Sequence, residues 1–408
     1  MNNCAAPTQP VLERPPLLGL ARLMRMAYAG VDIAPLGIKM IERAGADPGD
    51  VNALMDLSTI MQLDFAPDLA ADFQRQALAQ KRHYRLAAAN ERLRLLALMA
   101  PGNLMTNAPL DFLVEDSDIS LEMLYLVPGE SLPRSLPEHD LVWVAINESD
   151  AVQPLLQQLA VDLKAWTRPV INSPERIAGL ARNRAGVALQ GVPGLVMPQA
   201  ARVSAADLRR VTGEGGIGKA ELGFPFIIRP VGSHAGQGLA RLDCADGVGD
   251  YLQGRGEPEY YVAPYIDYRS RDGLFRKYRL ALIGGRPYAC HMAISEHWAV
   301  HYLNAGMTES AEKRAEEAIF MATFDRSFAR RHEAALLAIF RRAGLDYLII
   351  DCAETLQGDL LVFEVDSGAV VHAMDPVDVF PYKRPQMARV FAAFRDLVFQ
   401  AAGGGGAS

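Results

Sequence analysis

The chain has 408 residues, half of them hydrophobic, which is enough for two or three domains with sizeable cores. A formal net charge of −7 argues against general attraction to nucleic acid or to an acidic membrane surface, and no apolar run is long enough to span a bilayer. Four cysteines, Cys4, Cys244, Cys290 and Cys352, form no CxxC pair and fit reduced thiols, so a cytoplasmic location is expected. The opening MNNCAAPTQPVLERPP has no basic stretch followed by an apolar one, so secretion is not expected.

Residues 1–16 are polar and proline-rich, and a disordered arm is expected there. Residues 17–90 read as helical throughout. Within them Leu23-Met24 matches Leu54-Met55, and Asp32-Ile-Ala-Pro35 matches Asp64-Phe-Ala-Pro67, an offset of 31 to 32. That is close to the length of a helix–turn–helix repeat, so the segment is TPR-like, or an amphipathic helical domain with chance similarity. Two such units cannot stand alone. They are expected to pack on the rest of the chain, to dimerise with a second copy, or to present a protein or peptide partner.

From residue 91 to 172 the texture changes. Leu95–Ala100, Met123–Val127, Leu141–Ile146 and Pro169–Ile171 are short apolar runs, with the helix-like Ala151–Trp166 between the last two. Short buried runs alternating with helices predict a parallel sheet, a small Rossmann-like unit. A second α/β unit is expected over 173–260. It starts at Asn172-Ser-Pro-Glu175, a helix start with a capping residue and an early proline. A third unit is expected over 261–401, with strands at Tyr260–Ile266, Lys277–Ile283, Arg286–Ile294, Tyr347–Cys352 and Leu360–Val365. Helices are expected at about 310–319, 326–343 and 385–401. Residues 402–408 read as a flexible tail.

Two stretches carry chemistry. In FPFIIRPVGSHAGQGLARLD an apolar strand stops at Arg229-Pro230, and Gly232, Ser233, His234, Gly236 and Gly238 follow at once. A bare hairpin needs fewer glycines, so an anion against this backbone is expected. In YLIIDCAETLQGDLLVFEVDSG two apolar strands carry Asp351, Glu364 and Asp366. Glu364 and Asp366 are two apart and share one strand face, and Asp351 lies 13 positions before Glu364, within reach across a hairpin. Three carboxylates on an apolar sheet need a cation, and hard oxygen ligands suit Mg²⁺ bridging nucleotide phosphates.

The ordered set resembles the ATP-grasp superfamily, and its RimK-like branch of carboxylate–amine ligases, over about residues 93–380. The glycine-rich loop resembles the family's phosphate flap, YYVAPYID its hinge, and Asp351…Glu364-Val-Asp366 its metal site. The resemblance implies a Rossmann-like pre-ATP-grasp domain plus two ATP-binding lobes, here preceded by an α-helical domain: an α/β and α+β multidomain protein. It also implies ATP and Mg²⁺ as cofactors, with Mn²⁺ the alternative metal. By the same resemblance Arg184 and Arg229 reach the α- and β-phosphates. Tyr265 and Ile266 meet adenine, and Asp267 reaches the ribose. Arg279, with Lys277 nearby, steadies the γ-phosphate. Two departures stand out. Asp366 replaces the usual asparagine, and Ile349 stands where D-alanine ligase-like members place an arginine.

Substrate contacts are expected from Asn103, after the first sheet strand, and from His291 and His301. The stretch 290–307 that carries those histidines is expected to act as a lid. Ser367, Gly368 and His372, beside the metal strand, are further candidates. The implied reaction activates a small-molecule or peptide carboxylate as an acyl phosphate and joins it to an amine, releasing ADP and phosphate. The alternatives are a phosphotransferase on the same fold or a non-catalytic ATP-binding adaptor.

Overall fold

A computed structural model of the chain describes residues 14–133, 135–210, 222–233 and 236–404. Four helices come first: α1 (Leu20–Tyr28), α2 (Ala34–Ala46), α3 (Val51–Leu63) and α4 (Pro67–Gln80). Prolines in the first turns of α2 and α4 set those starts, and the Asp50 carboxylate caps α3 by accepting from the Ala53 amide. The repeated sequence therefore marks two helix–turn–helix units, α1–α2 and α3–α4.

The helical reading of residues 17–90 fails at its end. His83–Leu86 is a strand, β1, pairing antiparallel with β3 (Ile119–Tyr125). In HYRL only Tyr84 is buried and only Arg85 fully exposed, so a four-residue segment barely displays a period of two. β2 (Leu93–Met99), β3, β4 (Leu141–Val144) and β5 (Val170–Ile171) run parallel, and the sheet order is β1-β3-β2-β4-β5. β2 pairs with both β3 and β4, so their connections leave in opposite directions. The crevice at the carboxyl ends of β2 and β4 is a topological switch point.

A second sheet is small and antiparallel, ordered β7 (Ala201–Ser204), β10 (Glu259–Pro264), β8 (Phe226–Pro230), β9 (Ala240–Leu242). It has its own core around Phe226, Ile228, Tyr260 and Val262. The third sheet is ordered β12 (Arg286–Ser295), β11 (Phe275–Ile283), β13 (Tyr347–Glu354), β14 (Leu360–Asp366), β6 (Leu195–Val196). Two segments change sides from the expectation. β10, assigned by sequence to the third unit, lies in the middle of the small sheet, and β6 pairs parallel with β14. The partner strands decide this, and a local pattern cannot identify them.

The helical segment does not stand apart. Leu17, Val51, Leu54, Met55 and Ala77 share one buried cluster with Leu95, Ala97, Leu121 and Trp143 of the parallel sheet. Two buried carboxylates tie α1 down. Asp56 accepts from the Leu18 and Gly19 amides, and Asp111 accepts from Ala21. Among the described residues no helix is long and apolar enough to cross a membrane.

Candidate active site

The β13–β14 hairpin places Asp351 directly opposite Glu364, and Asp366 opposite Ile349. On the other side β11 sets Arg279 opposite Asp351. The guanidinium of Arg279 grips that carboxylate with two hydrogen bonds, Nε to Oδ1 at 2.8 Å and Nη2 to Oδ2 at 3.0 Å. Lys277, two residues earlier on the same strand face, reaches Asp351 Oδ2 at 2.7 Å. Burial alone would push Asp351 up. The charges of Arg279 and Lys277 outweigh it and hold the carboxyl well below its usual range. Arg279 also donates to the Val370 carbonyl at 3.1 Å, fixing the loop that follows the acidic strand.

Glu364 has its own partner, and it is not the arginine the sequence pointed to. Arg182, at the first position of the helix Arg182–Ala188, donates to Glu364 Oε1 at 2.5 Å. Arg184 is exposed and donates to the Ala178 carbonyl at 2.9 Å. The helix restarts at Arg182 after a break at Ala181. That sets its phase, and two residues further on the side chain points to the far face.

Arg182 is also the link to the small sheet. Arg229, at the end of β8, is lowered to about 10 by burial first and by the charge of Arg182 next, while Glu364 pulls the other way. The basic strand end and the acidic strand therefore approach each other across the gap between the sheets. Arg229 turns back on its own loop, donating from Nε to the Ser233 hydroxyl at 3.0 Å and also to the Ser233 carbonyl. Gly232, Gly236 and Gly238 all have left-handed backbones. A Cβ on Gly238 would come within 2.7 Å of the Pro230 ring, so that position excludes larger residues on two counts. His234 lies outside the described residues.

The three carboxylates do not assemble into a ready metal cage. Among the described residues no group of three or more His, Cys, Asp or Glu side chains is placed to hold an ion. Asp351 is committed to Arg279 and Lys277, and Glu364 to Arg182, because buried carboxylates take the nearest countercharge. The donor set still fits a hard divalent cation through Glu364 and Asp366. Asp366 is pushed up to about 6 by burial first and by Glu364 next. Its neighbour Ser367 has a buried hydroxyl without a partner among the described residues. A cation relieves both the repulsion and the desolvation.

The remaining expected residues divide into two groups. His291 sits on β12 directly opposite Arg279, so the stretch expected to be a lid is strand as far as Ser295. His301, in the loop beyond, lies close enough to Lys277 and Arg279 to feel their charges, and burial with those charges lowers it. His372 lies tilted against Tyr28 and Phe112, at 5.9 and 6.3 Å between ring centres. Gly368 donates to Asp366 at 2.7 Å, and a Cβ there would overlap Asn147 Oδ1 at 1.8 Å. Asn147, at the switch-point end of β4, is thus brought to the acidic strand with its Oδ1 buried and unpartnered among the described residues. No sequence signal marked it.

Tyr265 and Ile266 follow β10. The Tyr265 amide donates to Pro225 at 3.2 Å and its ring lies under Arg241 at 4.2 Å. Asp267 is exposed and paired with Arg269 at 3.0 Å. Asn103 is exposed and folded into its own turn, accepting from the Met105 amide at 2.9 Å, and does not join the cluster.

No family model matches the chain, and no curated protein sequence matches it. Three similar solved structures are a RimK-domain ATP-grasp protein from Sphaerobacter thermophilus, the VanG D-Ala:D-Ser ligase from Enterococcus faecalis, and the D-alanine–D-alanine ligase from Coxiella burnetii. The first is 15% identical over 75% of this chain and 99% of that one, with a TM-score of 0.41. The second is 12% identical over 76% and 100%, with a TM-score of 0.45. The third is 12% identical over 76% and 95%, with a TM-score of 0.46. In this chain a parallel sheet comes first, a small antiparallel sheet with a glycine-rich loop second, and a mostly antiparallel sheet with paired acids and bases last.

Proposed function

We propose that the chain is an ATP-dependent ligase that activates a carboxylate as an acyl phosphate and joins it to an amine. The observation that carries this reading is the convergence of Arg229 and its glycine loop with Glu364 on one arginine, Arg182, beside the Arg279–Lys277–Asp351 cluster. A patch of alternating charges, half-buried between two sheets, has partners to exchange when a triphosphate and a cation enter.

In this reading the backbone amides of Gly232, Ser233, Gly236 and Gly238 close on the β- and γ-phosphates, with Arg229 beneath them. Arg182 takes the phosphate role that the resemblance gave to Arg184. Tyr265 and Ile266 meet adenine and Asp267 the ribose. Glu364 and Asp366 would hold Mg²⁺, joined by Asp351 once the triphosphate draws Arg279 and Lys277 from it, and the cation would supply neutralisation of triphosphate charge. Arg279 and Lys277 hold the γ-phosphoryl group as its charge spreads. A substrate carboxylate oxygen attacks the γ-phosphorus, and the bond from phosphorus to the bridging oxygen breaks, releasing ADP. The amine nitrogen then attacks the acyl carbon, loses a proton, and phosphate leaves with the former carboxylate oxygen. The protein supplies alignment and electrostatics.

The test is incubation with Mg-ATP, hydroxylamine and sets of carboxylic acids, following ADP and hydroxamate together. ADP with a hydroxamate is expected. ADP formed with a phosphorylated hydroxyl compound and no hydroxamate would replace the reading with phosphotransfer.

A further inference from the structure

Behind Arg279 lies a buried polar cluster that the reaction scheme does not use. Glu317 accepts from the Met292 amide at 3.0 Å and from the hydroxyls of Tyr382 at 2.6 Å and Tyr302 at 3.1 Å. Lys383, at the start of the helix Lys383–Gly404, lies 3.4 Å from Glu317, donates to the Tyr302 oxygen, and reaches Asp375 Oδ2 at 3.2 Å. Every charged group here is answered except one atom. The Asp375 side chain is 8% exposed, and its Oδ1 is buried without a hydrogen-bond partner among the described residues. A buried carboxylate oxygen left open is costly, and as a pure acceptor it calls for a donor, best a cationic one.

Position gives the open atom a role. Asp375 lies on the loop whose Val370 carbonyl is held by Arg279. His372, between them in sequence, feels the charges of Asp375, Lys383 and Arg279. Burial, with Lys383 and Arg279 against Asp375, lowers His372 to about 4, so it adds no positive charge that would repel a cation at neutral pH. On the outer side stands Tyr28 of α1, partly exposed, its phenol raised by burial first, by the Asp375 charge next and by a hydrogen-bonding approach to that carboxylate last. The approach falls short of a partner for Oδ1 and places the hydroxyl at the mouth of the open atom. Arg25 of the same helix donates to the Ala373 carbonyl at 3.4 Å and pairs with Glu115, which leaves its charge answered.

We propose that α1 and the loop 370–375 form a subsite for the ammonium group of the amine substrate, with Asp375 Oδ1 as its anchor and Tyr28 at its rim. This rests on the ligase reading. The N-terminal helices then contribute directly to the choice of acceptor. The occupant is a primary amine that arrives as its ammonium, donating to Asp375, the Tyr28 hydroxyl and solvent. It gives one proton to solvent to free the lone pair that attacks the acyl carbon.

The experiment compares wild type, Asp375→Asn and Tyr28→Phe with Mg-ATP and a set of carboxylic acids. Each protein receives hydroxylamine, which is uncharged at neutral pH, or a set of primary amines including the proteinogenic amino acids. For Asp375→Asn the ratio of amide to hydroxamate is expected to fall at least about ten-fold through a raised KM for the amine, the cost of losing a buried charge pair. Tyr28→Phe, on the partly exposed rim, is expected to lower the ratio about three-fold, and it carries the test should Asp375→Asn not fold. An unchanged ratio in both variants overturns the subsite. So does a wild type that makes hydroxamate yet couples no amine of the set. A wild type that makes no hydroxamate removes the ligase reading, and the subsite with it.

Discussion

Arg279 holds two jobs that mutation can separate. Its fork satisfies both oxygens of a buried Asp351, and the same group is the proposed clamp on the transferring phosphoryl. Arg279→Ala leaves Asp351 to Lys277 alone and is expected to destabilise the fold by about 3 kcal/mol in denaturant titration, as breaking a buried pair does. Arg279→Lys keeps a charge but loses the planar fork. It should regain most of that stability while ATP turnover stays at least about a hundred-fold down, as for loss of a transition-state donor. Equal recovery of both would show that only the charge matters. Glu364→Ala is expected to abolish Mg-ATP turnover with an unchanged circular dichroism spectrum, and retained activity would remove Glu364 from the metal site. The acidic residues were legible because a spacing of 2 keeps Glu364 and Asp366 on one strand face and a spacing of 13 fits the short hairpin that sets Asp351 opposite Glu364. Arg182 was not, since RNR offers two arginines and only the restart of the helix after Ala181 sets which one faces Glu364.

At the scale of elements, α1 is docked by two carboxylates whose burial is resisted. Asp56 and Asp111 are each pushed up to about 6 by burial, against the backbone amides they accept. An acid raised in the native state binds its proton more tightly there than in the unfolded chain. These two groups therefore add stability as pH falls from about 6.5 towards 4. Asp351 and Glu364 are shifted the other way and act only lower, near and below the ordinary carboxylate range. The histidines His291, His301 and His372, which burial lowers, act in the opposite sense, so the comparison with Asp56→Asn isolates the carboxylate. Between pH 7 and pH 5 wild type is expected to gain melting temperature relative to the variant. An identical pH profile in the variant would show that Asp56 is an ordinary ionised cap. Long apolar strands such as β11, β13 and β14 were readable from composition alone. β1 was not, because four residues carry too little periodicity, and β10 was misplaced because strand partners are a tertiary choice.

For the molecule as a whole, the helical segment is part of the scaffold. Its apolar face and the parallel sheet form one buried cluster, Asp111 caps α1 from outside the segment, and Gln74 of α4 pairs with both backbone groups of Gly102 at 3.0 and 2.8 Å. Deleting residues 14–80 exposes that face and is expected to give aggregated protein, or one without a cooperative melt. A soluble remainder with a sharp transition would show that the sheets are complete alone. The order of the three sheets followed from motif order in the sequence. The welding of helices to sheet did not, since amphipathic periodicity names a buried face and not what covers it.

The central claim is that a substrate carboxylate is phosphorylated by ATP. Its most direct measurement supplies Mg-ATP and amines with carboxylic acids labelled by ¹⁸O in the carboxyl group, then weighs the released phosphate by mass spectrometry. Acyl-phosphate chemistry predicts one ¹⁸O transferred into phosphate for each amide formed. Phosphate without label, released alongside ADP, would contradict it.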